Sequence, residues 1–134
     1  MNLFPLRLQP GDDLRTALEL ALRAQGYSAA FVLCGIGSLA GANIRLAGAD
    51  VTLNLDGEFE ILTLAGSIAA NGSHLHISIS DTQGRVLGGH VCAGCRIRTT
   101  AEILLALLPD WQLSRDADRA TGYAELTIRP AGPG

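Results

Sequence analysis

Lysine is absent from this chain, so all ten basic residues are arginine, and they stand against 13 acidic residues for a net charge of -3. No run of basic residues forms the cationic face with which a protein neutralises nucleic-acid phosphates. Arg96 and Arg98 alternate on one strand and make at most a small patch. Cysteine is scarce and odd in number: Cys34, Cys92 and Cys95 exclude a disulfide framework and fit a reducing compartment. No uninterrupted apolar run reaches membrane length, and the segment Met1 to Arg7 is too short and too soon broken by Pro5 to serve as a signal peptide. The expectation is a soluble cytoplasmic protein with no membrane partner. Charged residues are few, at 17% beside 48% hydrophobic, so some apolar surface is expected to be covered by a second copy of the chain. A length of 134 residues suits one domain with a single core, expected over 1–130 with a loose tail at 131–134.

Histidine is rare too, but its placement is informative. His74, His76 and His90 are the only three, and all fall within seventeen residues. A strand alternates its side chains, so His74 and His76 share a face. Whether His90 joins them depends on hairpin register. With Thr82-Gln83 as a two-residue loop, Leu75 would oppose His90 and the third histidine would face the wrong way. A three-residue loop, with Asp81 opening a type I turn and Gly84 in the left-handed conformation, instead makes Asp81 oppose Arg85 and His76 oppose His90. Opposed and diagonal neighbours are then close enough for three imidazoles to reach one ion. Three neutral imidazoles with an open fourth position describe a catalytic-type site for zinc or another divalent transition metal. The competing reading is three ordinary strand histidines. Cys92 would oppose His74 on the same face, as a supplementary ligand or a packing residue. Cys92-x-x-Cys95 lies in a strand-like segment without a second such pair or a helix N-terminus, which argues against a redox or zinc motif.

Along the chain, a strand is expected from Asn2 to Leu8. Pro10-Gly11-Asp12-Asp13 then starts a helix over Leu14 to Gln25, where Leu14, Ala17, Leu18, Ala21 and Leu22 recur at helical spacing and Gly26 marks the stop. Ala29 to Cys34 reads as a buried strand. Gly35-Ile36-Gly37 is no nucleotide fingerprint, because the helix precedes the strand and none follows the glycines. Ala42 to Leu46, Val51 to Leu55 and Phe59 to Ile68 read as further strands, divided at Gly48 and Asp56-Gly57. Arg96 to Leu108 is ambiguous: Ala101 to Leu108 favours a helix, whereas Ile97, Thr99 and Thr100 favour extension. Strands at Trp111 to Ser114 and Ala124 to Arg129 flank an irregular stretch from Arg115 to Tyr123.

An ordered series of motifs resembles a known family. Gly57-Glu58-Phe59-Glu60-Ile61-Leu62, Gly66-Ser67-Ile68, His74-Leu75-His76-Ile77-Ser78, Gly84-Arg85-Val86-Leu87-Gly88-Gly89-His90 and Thr99-Thr100-Ala101-Glu102-Ile103 look like the PPC, or plant and prokaryote conserved, domain, and Thr121-Gly122-Tyr123 also fits. The same domain closes plant AT-hook nuclear-localised proteins. The resemblance covers nearly the whole chain. It implies an α/β domain of the α+β type, a mainly antiparallel sheet with one long helix packed across it, assembling as a homotrimer. It also implies a fold similar to that of acetolactate decarboxylase, whose zinc is held by a comparable histidine arrangement. His74, His76 and His90 match positions where some prokaryotic members hold zinc, and the family pattern makes Arg96 to Leu108 a strand. Prokaryotic members commonly carry a DNA-binding label. This chain has no AT-hook, and Glu58 replaces the arginine of the plant interaction motif, a charge reversal.

Three functions compete. The first is a trimeric regulatory or interaction module whose metal is structural or sensory. The second is a zinc-dependent enzyme, a lyase or hydrolase, on a small hydroxy or keto acid. There Glu60 would move protons and Arg45 or Arg85 would hold the substrate carboxylate. The third is direct DNA recognition, which the charge does not support.

Overall fold

A computed structural model describes residues 2–132, so residues 133 and 134 of the expected tail lie outside the described residues. The chain runs β1 (Asn2–Leu8), α1 (Leu14–Ala24), β2 (Ala30–Arg45), β3 (Leu53–Ala69), β4 (Gly72–Ser80), β5 (Val86–Val91), β6 (Ile97–Leu107), β7 (Trp111–Ala117) and β8 (Ala124–Pro130). Strands of the larger sheet lie in the order β1-β6-β2-β3-β4-β5, and neighbouring strands pair antiparallel. β5 also returns to the end of β2, pairing Ile44 with Val91 and Arg45 with His90, so β2 to β5 close on themselves. β7 and β8 form a separate hairpin. The class is α+β.

The helix starts where the acidic turn ends. Asp13 is the N-cap, and its carboxylate accepts the Thr16 backbone N–H at 3.0 Å, which relieves one of the unpaired donors of the first turn. At the other end Gly26 takes φ +78°. Leu14, Leu18 and Leu22 are buried on the sheet side and share a core with Leu75, Ile77 and Ile79 of β4. Each buried leucine contributes up to about 1.5–3 kcal/mol. Since alternate β4 residues face this core, His74 and His76 face the other way.

Several elements differ from the sequence expectation. The strands expected at 29–34 and 42–46 are one strand, β2, and those at 51–55 and 59–68 are nearly all of β3. Gly48 does lie between β2 and β3, whereas Gly57 falls inside β3 and Gly35 and Gly37 inside β2. A Cβ on Gly37 would press on the Thr100 carbonyl oxygen and on Ala101 of β6, within 2.5 to 2.9 Å. Ala101 to Leu108, favoured as helix by propensity, is strand through Leu107 because β6 lies between β1 and β2 and bonds to both. β7 runs on to Ala117, beyond the expected Ser114, because its backbone pairs with β8 as far as Ala117 opposite Ala124.

β7 docks on the turn between β3 and β4. Leu113 is buried against Ala29 and Ala69. The Ala70 N–H donates to the Leu113 carbonyl at 3.1 Å. Asn71 bonds the Arg115 backbone twice, accepting from its N–H at 2.7 Å and donating to its carbonyl at 2.9 Å. These contacts carry the β7–β8 hairpin to the histidine end of β4.

Candidate metal centre

The hairpin between β4 and β5 has the register that brings the histidines together. Asp81 N–H donates to the Arg85 carbonyl at 2.9 Å, Gly84 N–H donates to the Asp81 carbonyl at 3.0 Å, and Gly84 has φ +78°. His76 accordingly opposes His90. The Asp81 carboxylate holds the turn by accepting from the Gln83 and Arg85 N–H groups, each at 2.9 Å, and from the Arg85 guanidinium at 2.7 Å.

His74 Nε2 lies 3.1 Å from His90 Nδ1 and 3.2 Å from His76 Nε2. The ligand atoms of all three lie within 4.8 Å of one another, and among the described residues this is the cluster suited to a metal. Mutual hydrogen bonding does not satisfy the arrangement, because each ring nitrogen offers either one hydrogen or one lone pair, and His74 Nε2 faces two others. One cation accepting three lone pairs does. Bonds of about 2.0–2.1 Å in a tetrahedral site separate neighbouring ligand atoms by about 3.3 Å, near the two short distances here. The donor set thus fits a borderline transition metal and leaves a position open. Burial first, then the Arg115 guanidinium and the other two histidines, hold the His74 imidazole below its ordinary pKa. Burial, Arg45 and His76 do the same at His90. Both shifts favour the neutral, metal-binding form.

The approach to the cluster is held from below. Glu19 on α1 accepts from the Ser73 backbone N–H at 3.2 Å, from its hydroxyl at 2.6 Å and from the Arg15 guanidinium at 3.3 Å. This fixes β4 one residue before His74. Glycines let the strands close in. Gly66 opposes Leu75, and Gly89 passes so near β2 that a Cβ would sit 2.7 Å from the Arg45 carbonyl oxygen.

A cavity of about 480 Å³ opens beside His74 and His90, with Arg45 and Cys92 in its wall. The structure does not bring the other expected site residues there. Glu60 opposes Ser80, four residues up β4 from His76, or about 13 Å along the strand. It is exposed and lines a different depression, with Arg98 and Ser38. Arg85 is at the hairpin tip, occupied by Asp81 and largely exposed. Within one chain neither lies beside the histidines. Cys92 is not a member of the ligand cluster, because the β4–β5 ladder ends at His90 and the Cys92 N–H turns to the Asn43 carbonyl of β2, 3.0 Å away. Arg115 and Glu125 line the cavity without any sequence signal having pointed to them, and Tyr123, part of the Thr121-Gly122-Tyr123 motif, joins them; the docking of the β7–β8 hairpin brings all three in.

The chain is similar to known proteins at the level of sequence and of fold. The model of the Plants and Prokaryotes Conserved (PCC) domain matches residues 1–109. A bifunctional protein GlmU from Synechococcus sp. (strain JA-2-3B'a(2-13)) is 47% identical over 130 residues, which is 97% of this chain. The chain spans only 21% of the length of that curated relative. A hypothetical protein from Salmonella cholerae-suis has the same fold with a TM-score of 0.92 and 36% identity, over 96% of this chain and 94% of the other. A metal-containing protein from Archaeoglobus fulgidus superposes with a TM-score of 0.81 at 27% identity, covering 95% and 94% of the two chains. Among the described residues no helix is long and apolar enough to cross a membrane.

Proposed function

The chain belongs to the Plants and Prokaryotes Conserved domain family, and from that premise we propose that it is a metal-dependent regulatory or interaction module, assembled as a homotrimer, in which His74, His76 and His90 hold one divalent ion of the zinc class. The observation that carries the reading is the meeting of three ring nitrogens, two of the contacts at 3.1 and 3.2 Å, in a geometry that hydrogen bonding among them leaves unsatisfied. The similar Archaeoglobus fulgidus protein, described as metal-containing, supports it. Bound there, the ion would supply a Lewis-acidic open position. The protein's own part is to hold the three imidazoles neutral and oriented. Exposed apolar side chains on the sheet, Leu33 and Ile36 of β2 and Leu62 of β3, support a subunit interface. A direct role on DNA has less to rest on, because Arg98 is paired with Glu58 and the net charge is negative.

Mass spectrometry of untagged protein tests the metal. The expected result is near one zinc per chain in the parent and its loss in His76→Ala, an exposed position where the fold survives substitution. A parent that neither contains nor takes up a transition metal refutes the site. Light scattering tests the assembly, and a monomer at micromolar concentration refutes the trimer.

A further inference from the structure

The cavity beside the histidines holds two arginines that no carboxylate among the described residues pairs directly. Arg45 opposes His90 across the β2–β5 pairing, and among the described residues its side chain makes one hydrogen bond, from Nη1 to the Ala49 carbonyl at 3.3 Å. Arg115 reaches in from β7 beside His74 and donates to the Ser67 hydroxyl, and its Nε is buried with no partner. Among the described residues neither guanidinium has a carboxylate within ion-pair distance, whereas Arg15, also in the wall, is paired with Glu19. Glu125 lines the cavity and its charge acts on Arg115, but it forms no ion pair with either guanidinium. A buried guanidinium N–H without an acceptor is costly unless a ligand completes it. A chain with net charge -3 has thus concentrated two unpaired cations beside three metal-binding imidazoles.

We propose that this cavity is a binding site for a small organic oxyanion, a carboxylate or phosphate, held between Arg45 and Arg115 with a second oxygen turned toward the histidine-bound metal. The third contact rests on the metal reading given above; the two arginine contacts do not. The planar guanidinium fork matches either oxyanion, and about 480 Å³ is room for an organic anion rather than a bare inorganic one. Arg115 belongs to the β7–β8 hairpin, beyond residues 1–109 that define the family match. The anion site therefore joins an arginine of the main sheet, Arg45, to one that the hairpin carries in, Arg115.

Calorimetric titration with 2-oxoglutarate and, separately, with inorganic phosphate tests this on zinc-loaded and metal-free full-length protein. Expected is saturable binding of at least one probe, weakened about ten- to a hundredfold in Arg45→Gln and in Arg115→Gln, with zinc per chain unchanged. Preference for 2-oxoglutarate identifies a carboxylate ligand, and preference for phosphate identifies a phosphorylated one. Arg45→Gln stands on a different element, so it decides the matter if Arg115→Gln loosens the hairpin. No binding of either probe up to about 10 mM, or binding that both variants retain, overturns the proposal. Absence of zinc in the parent, with arginine-dependent anion binding intact, would instead refute the metal reading alone.

Discussion

Replacing Gly66 by alanine should loosen the histidine strand and so report on how tightly the fold enforces the site. Gly66 has φ +144° and opposes Leu75, between the positions of β3 that oppose His74 and His76. An added Cβ would run into the His74 carbonyl oxygen and lie 2.8 Å from the Leu75 Cα, both backbone atoms that no side-chain rotation can move. Ordinary contact begins near 3.4 Å, so β3 and β4 must part by at least about 0.6 Å at Leu75 and by more at His74. Overpacking of this kind costs about 1–3 kcal/mol, on top of the penalty for alanine at positive φ. Gly72 supplies the control, because its φ is nearly the same, +149°, and a Cβ there would meet nothing closer than the Arg15 guanidinium at 3.9 Å. The difference between Gly66→Ala and Gly72→Ala isolates the clash. At about 3–5 °C per kcal/mol for a chain of this length, Gly66→Ala should melt about 3–15 °C below Gly72→Ala when followed by circular dichroism in metal-free buffer. Displacement of His74 should also weaken zinc about ten- to a hundredfold in competition with a fluorescent chelator. Equal melting temperatures would show that the two strands are not held at this spacing, and the steric reasoning would be wrong.

Two further outcomes follow from the same geometry. Cys95 is fully buried and burial pushes its thiol pKa up, so a thiol reagent at neutral pH should reach it only on unfolding; rapid native labelling of Cys95, located by peptide mass spectrometry, would contradict this. The Arg85 guanidinium beside Asp81 holds that carboxyl below its ordinary range, so the turn's contribution to stability is present above the unfolded carboxylate value and lost as pH falls through the lower folded one. Asp81→Asn should flatten the acid limb of the stability curve, and an Asp81 carbon resonance titrating at the ordinary value would refute the pairing.

How much of this was legible depended on whether the deciding contact was local. The histidine hairpin is local: Asp81 and Gly84 set its turn, the turn sets its register, and His76 meets His90 as the spacing demands. Helix α1 is local in the same sense, with a cap, a stripe and a glycine stop. β6 was not, because Leu104 and Ala106 obscure the alternation of buried Ala101, Ile103 and Leu105, and only pairing on both edges overrides the helix propensity. Gly48 was a true boundary, but Gly57 was misread as one, since a glycine at φ +119° can sit inside a long paired strand such as β3. Alternation alone does not say how far along β3 Glu60 falls from the histidines, and the ladder places it beside Ser80 within the chain. Arg115 lay in a stretch read as irregular, and nothing short of the Asn71 and Leu113 contacts reveals where it points.

The return of β5 to β2 has a mechanical meaning. The four-stranded hoop is joined over most of its circumference by long ladders, but its last seam is the short pairing of Ile44 with Val91 and Arg45 with His90. Local opening favours the joint with the fewest bonds. His90 and Arg45 sit on the two sides of that joint, so an anion held by Arg45 with an oxygen on a metal held by His90 would bridge the clasp and leave the rest of the hoop unchanged. Ligand occupancy would then be felt by any neighbour that packs against β2, as the difference between a hoop that can spring at one point and a hoop that cannot.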